Sequence, residues 1–126
     1  MQELAAMHDR IHFISHQGKQ ILFVDFSTCS AREVEKIARI APDHVMAQPR
    51  GSVRVLVDFT GASFDRAAIQ TLKVGAIFDK PYVKASAWIG AKALPEAFYE
   101  ELERFSRREF PAFRTRPEAL AWLVQE

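Results

Sequence analysis

Two short phrases hold the side chains best suited to chemistry: Phe23-Val24-Asp25-Phe26-Ser27 and Leu56-Val57-Asp58-Phe59-Thr60, each an apolar run that ends in Asp, Phe and a hydroxyl. Two carboxylates on a shared rim could hold a divalent ion or work as an acid and a base. No His or third carboxylate stands at a recognisable ligand spacing from them, so the expected role of Asp25 and Asp58 is to accept hydrogen bonds from loose backbone N–H groups where the chain turns. His8, His12 and His16 recur every four residues, a metal-binding spacing on a helix. Ile11 to Ser15 alternates as a strand, which puts His12 and His16 on one exposed face with Ile14 between them, and no metal is expected. Cys29 precedes a helical pattern, where a thiolate would be favoured, but packing is its expected role. The chain has no Gly-x-Ser-x-Gly elbow, no Cys-x-x-Cys pair and no phosphate-cradling Gly-rich loop. These residues imply neither an enzyme nor a cofactor.

Two further groups carry binding potential. Arg104, Arg107, Arg108, Arg114 and Arg116 crowd a stretch that also holds Phe105, Phe110 and Phe113. Arg104, Arg107 and Arg108 are candidate contacts to anionic lipid headgroups, with aromatic rings at the interface. The plainer account is a solvated helix face with Glu100–Arg104 and Glu103–Arg107 pairs, and phenylalanines filling the core under a last strand. Tyr82, Trp88, Phe98 and Tyr99 are candidates for the wall of an apolar ligand pocket, or simply for core.

These residues need elements to position them. Ile11 to Ser15 and Lys19 to Phe26 read as an antiparallel hairpin around His16-Gln17-Gly18. Ser30 and Glu33 form a capping box before Val34, Ile37, Ala38, Ala41 and Val45, a helix that Pro42 should bend or split near Ala41. Val53 to Phe59 is the next strand, and Asp65 opens a helix with Ala68, Ile69, Leu72, Ala76 and Ile77 on its apolar stripe. Lys80-Pro81 ends that helix. Tyr82 to Ile89 reads as a strand with Val83, Ala85, Ala87 and Ile89 on one face. Pro95 begins a helix carrying Phe98, Leu102 and Phe105, Phe110 to Phe113 is a short strand, and Thr115 with Glu118 caps a final helix. The order ββαβαβαβα calls for an α/β fold with right-handed crossovers and a mixed, mostly parallel five-stranded sheet. In such a sheet, loops beyond the carboxyl ends of the strands gather on one edge, which should bring Asp25, Asp58, Thr60, Ser63, Asp65 and Arg66 to one rim.

A chain of 126 residues with 48% hydrophobic content suits a single domain over residues 1–126. Seventeen basic and sixteen acidic residues leave a net charge of +1, far from the basic excess of a nucleic-acid binder. One cysteine cannot form an internal disulfide, and Met1 to Arg10 lack the apolar stretch of a secretion signal. With no apolar run near the ~20 residues that span a bilayer, the expected location is the cytoplasm, with room for peripheral contact at a membrane.

The stretch Val57 to Asp65 resembles the strand and loop of bacterial anti-sigma-factor antagonists of the STAS fold. Lys80 to Ala87 and Glu118 to Leu123 are similar to phrases of its small SpoIIAA-like branch, and the likeness runs from about Ile11 to the end. It implies a right-handed βα superhelix and a non-enzymatic regulatory module that docks a protein partner at the rim. In the phosphorylated antagonists, two hydroxyl residues and Gly follow the loop Asp, and the first Ser takes a phosphate. Here Arg66, Ala67 and Ala68 follow Asp65, so phosphate control at that place is lacking. The resemblance also implies an alternative, lipid or small apolar ligand binding in the manner of CRAL-TRIO lipid-transfer domains. Expected partners are therefore a protein, a lipid or membrane surface, and a second copy of the chain.

Overall fold

The computed structural model describes residues 7–126. Strands β1 (Ile11–His16) and β2 (Lys19–Asp25) form an antiparallel hairpin. Its two-residue loop holds Gln17 and Gly18 at φ 50° and 76°, the left-handed pair that a tight hairpin requires and the reason Gly stands there. From β2 onward strands and helices alternate: α1 (Ala31–Met46), β3 (Val53–Asp58), α2 (Arg66–Phe78), β4 (Val83–Ile89), α3 (Glu96–Ser106), β5 (Ala112–Phe113) and α4 (Arg116–Gln125). The sheet order is β1-β2-β3-β4-β5, antiparallel only at β1–β2. The molecule is thus α/β with a mixed, mostly parallel five-stranded sheet.

Both faces of the sheet are covered, which explains why the central strands are nearly continuous apolar runs. Side chains alternate along each strand. Leu22, Val24, Val55, Val57 and Trp88 meet Val34 and Ile37 of α1, Ala68 and Ala76 of α2, and Phe98 and Leu102 of α3. On the other face Ile21, Phe23, Leu56, Ala87 and Ile89 meet Ala119, Leu120 and Leu123 of α4. Each fully buried aliphatic side chain here contributes roughly 1.5–3 kcal/mol of hydrophobic stabilisation.

The helix starts follow their capping residues. Ser30 Oγ accepts from Glu33 N–H at 3.2 Å while Ser30 N–H donates to Glu33 Oε1 at 2.9 Å, a complete capping box. Asp65 Oδ1 accepts from Ala68 N–H at 2.8 Å, and Thr115 Oγ1 from Glu118 N–H at 3.3 Å.

Four expectations are corrected. Pro42 does not split α1, which is continuous across it. The proline ring packs against α2 where Gly75 leaves room, since a Cβ there would lie 3.0 Å from Pro42 Cγ, and this contact holds the turn that the missing donor weakens. Tyr82 is not in β4 but ends a short 3-10 turn, Lys80–Tyr82, beneath the Arg50 guanidinium at 5.6 Å. The β3–β4 register shifts where Val53 pairs with Val83 and Arg54 with Ala85, so Lys84 is an extra residue and Val83 turns to the helix-layer core, away from the face of Ala85. Finally, Ile77 and Phe105 are 41% and 57% exposed. Ala76 and Ser106 take the adjoining inward positions, and the Ser106 hydroxyl is satisfied there by Leu102 O at 2.7 Å. Each apolar neighbour is therefore rotated about 100° outward.

Candidate functional site

The strand ends bring the two Asp corners together. In register, Asp25 lies opposite Asp58, and Asp58 opposite Ile89. Asp25 Oδ1 accepts from Ser27 N–H, and Asp58 Oδ1 from Thr60 N–H, both at 2.9 Å. These are the turn-forming bonds expected of the two carboxylates. Further backbone bonds join the corners: Phe26 N–H to Asp58 O, Phe59 N–H to Ile89 O and Thr28 N–H to Thr60 O at 2.8 Å, and Ser63 N–H to Cys29 O at 2.9 Å. Arg10 donates to Ser27 O at 2.8 Å and lies 3.6 Å from the Asp25 carboxylate. Beneath the ledge the rings of Phe26 and Phe59 stack 5.0 Å apart.

Asp25 and Asp58 are half-buried in this rim, whereas Thr60, Asp65 and Arg66 are exposed, as is Ser63. Asp65 is occupied as the cap of α2, and Arg66 begins that helix. What faces outward is a fixed set of hydroxyls and backbone groups with basic side chains, Arg66 on α2 and Lys92 and Arg114 beside Thr60 and Gly90, suited to docking by hydrogen bonds and charge. Thr28 and Gly90 belong to the same rim and were not singled out by sequence. Thr28 holds φ 55°, and at Gly90, φ 70°, a Cβ would stand 2.3 Å from Thr60 N. A Gly directly after an apolar strand was the available signal for the second. Cys29 is 1% exposed, and burial pushes its thiol above the usual range against the pull of Arg10, which leaves it a packing residue.

The arginine segment divides. Arg104 and Arg107 are exposed. Arg108 is not a lipid contact: its side chain is 10% exposed and donates to Asp79 Oδ1 at 2.6 Å and to Ala76 O and Ser86 Oγ at 2.9 Å. Burial raises the Asp79 carboxyl above the ordinary carboxylate range, and Arg108 opposes the shift. Phe110 completes the enclosure with its ring 4.8 Å from the guanidinium. Glu103 accepts from Phe110 N–H at 2.7 Å. Phe105 stands exposed in the chain between Arg104 and Arg107, and α2 carries exposed apolar side chains of its own, with Val74 and Phe78 in the groove against α1. Val74, Ile77 and Phe78 of α2 and Phe105 of α3 are 40%, 41%, 63% and 57% exposed. Lys73 lies 4.6 Å from the Phe105 centroid and donates to Glu101 at 2.7 Å, a bond that lowers the Glu101 pKa.

The four aromatics do not form one pocket wall. Trp88 stacks on Phe110 at 4.4 Å and meets Tyr99 edge-on at 5.4 Å. Phe98 is buried, and Tyr82 sits in its separate turn. The Tyr99 hydroxyl donates to Phe110 O, and burial foremost pushes its pKa up to about 12. A cavity of about 80 Å³ lies between sheet and helix layer, lined by residues including Val24, Val57, Phe59, Leu102 and, of the four, Trp88 alone. Asp79, Ser86 and Arg108 also border it. Its volume is about half the ~150 Å³ that admits benzene.

Among the described residues there is no cluster of three or more His, Cys, Asp or Glu that could hold a metal, and no helix long and apolar enough to cross a membrane. Compared with known proteins, the chain matches no family model, no curated protein and no solved structure.

Proposed function

We propose that the chain is a non-enzymatic, STAS-like regulatory module that docks a protein partner through the rim of Thr60, Ser63 and Arg66, with Asp25, Asp58 and Asp65 shaping it. The observation that carries this reading is the Asp25–Asp58 register, with both carboxylates spent on turns that weld two corner loops into one exposed ledge. A ledge held by backbone bonds meets a partner with little ordering cost. Arg66 supplies a permanent positive charge at the place where related modules present a phosphorylatable hydroxyl, so the partner surface it fits is acidic. Affinity capture tests this: a partner recovered by the wild type is lost on Arg66→Glu and kept on Lys84→Glu, an exposed site on β4. Equal recovery by both variants removes the rim as the interface.

A second reading, peripheral association with anionic lipid, is favoured by one observation: Phe105, 57% exposed on α3 with Arg104 and Arg107 on either side of it in the chain and Lys73 of α2 4.6 Å from its ring. Apolar rings set among basic side chains suit a headgroup boundary. Vesicles rich in phosphatidylserine should float the wild type at low salt and release it in an Arg104→Ala/Arg107→Ala variant. No flotation at low salt ends this reading.

A further inference from the structure

We propose that β1 is a docking edge for a second copy of this chain, paired antiparallel so that two sheets join into one with Phe13 at the twofold axis. Among the described residues, β1 ends the sheet and is bonded on one side only, to β2. The free side has a defined pattern. Asp25 N–H donates to Arg10 O at 2.8 Å, one residue before the start of β1, so the even-numbered positions of β1, opposite Phe23, Ile21 and Lys19, are the hairpin's hydrogen-bonded pairs. By the antiparallel alternation, the N–H and C=O groups of Ile11, Phe13 and Ser15 point outward, away from β2.

Sheet edges are usually blunted by charge, proline or a bulge. Ile11-His12-Phe13-Ile14-Ser15-His16 has no Lys, Arg, Asp, Glu or Pro, and its register with β2 runs unbroken. The edge is also self-complementary. A twofold axis perpendicular to the sheet keeps each side chain on its own face, so Phe13 can oppose Phe13 of the second copy while Ile11 opposes Ser15. In that register every outward N–H and C=O of the three residues finds a partner, two hydrogen bonds for each opposed pair. Phe13 lies on the helix-layer face opposite Leu22 and is 41% exposed, and its counterpart would cover it. Because the strands are antiparallel, the joined sheet would carry one Asp25–Asp58 rim at each end. The proposal stands independently of what binds at those rims.

One pair of six-residue strands makes a small interface, so the dimer dissociates on dilution. Sedimentation velocity of the full chain, from about 1 µM to several hundred, should show the mass moving from one chain toward two. Phe13→Lys should hold it at one chain, with helical circular dichroism unchanged, while Phe78→Lys on the far side of the helix layer leaves the dimer intact. Oxidation supplies a second readout. Phe13→Cys should link two chains, because directly opposed residues lie about 5.5 Å apart, within disulfide reach. Ser15→Cys should not, its copy being about 13 Å away along the strand. The buried Cys29 stays out of the reaction. A wild type that remains one chain throughout, a Phe13→Lys variant that dimerises unchanged, or equal linkage at 13 and 15 overturns the proposal.

Discussion

Arg108 shows how one side chain changes meaning with its surroundings. In sequence it belongs to a basic run; in the fold its charge neutralises Asp79 beneath the helix layer. Removing it leaves a carboxylate buried without its partner, a loss of about 3–5 kcal/mol. Arg108→Ala should therefore lower the denaturant midpoint steeply, and Asp79→Ala/Arg108→Ala should lose less than the sum of its two single changes. Additive losses would deny the coupling. Gly90 makes the same point about space. At φ 70°, with a would-be Cβ 2.3 Å from Thr60 N, the clash is with backbone that cannot swing aside. Gly90→Ala should cost about 3 kcal/mol or more and disturb the amide signals of Thr60 and Gly61. The Asp corners were legible because Asp followed by a hydroxyl has a local hydrogen-bonding job. The Arg108 site was not, because Asp79 and Ser86 lie 29 and 22 residues away along the chain.

Elements began where their caps said they would and ended or turned where packing decided. Ser30, Asp65 and Thr115 each satisfy a backbone donor that a helix start leaves open. Ser30→Ala and Asp65→Ala should each cost about 1 kcal/mol, read from urea unfolding; a neutral Ser30→Ala would mean that packing alone sets the start of α1. Pro42 is the converse case. Local chemistry favours a break, yet the α1–α2 contact at Gly75 carries the helix through. In β4 the alternation read from sequence was right from Ala85 onward and wrong at Val83, because periodicity does not reveal where a neighbouring strand shifts register.

At the scale of the molecule, the sheet is sealed by α1, α2 and α3 on one face and by α4 on the other. Arg54 fastens the last helix by donating to Leu123 O at 3.1 Å and Glu126 O at 2.9 Å. The aromatic group of Trp88, Tyr99 and Phe110 ties β4, α3 and the chain before β5 together, and Tyr99 gives it a pH signature. The folded chain holds the Tyr99 proton to about pH 12, whereas an unfolded tyrosine releases it near 10. The folded state binds more protons across that window, so its stability is complete below about pH 10 and declines as pH climbs toward 12. Tyr99→Phe should flatten that part of a stability-against-pH curve measured by urea unfolding. An identical slope in both proteins would remove Tyr99 as its source.

The amino-acid order alone determined the succession of elements, their caps, the α/β class and the meeting of Asp25 with Asp58, because periodicity, turn chemistry and parallel winding act through near neighbours. Tertiary structure alone decided that Arg108 turns inward while Phe78 and Phe105 stay out, and that Tyr82 leaves the aromatic group. Those outcomes depend on which distant surfaces meet: the Arg108 guanidinium is buried where a carboxylate, a carbonyl and a hydroxyl wait for it, and Phe105 is exposed because Ser106 has filled the inward position.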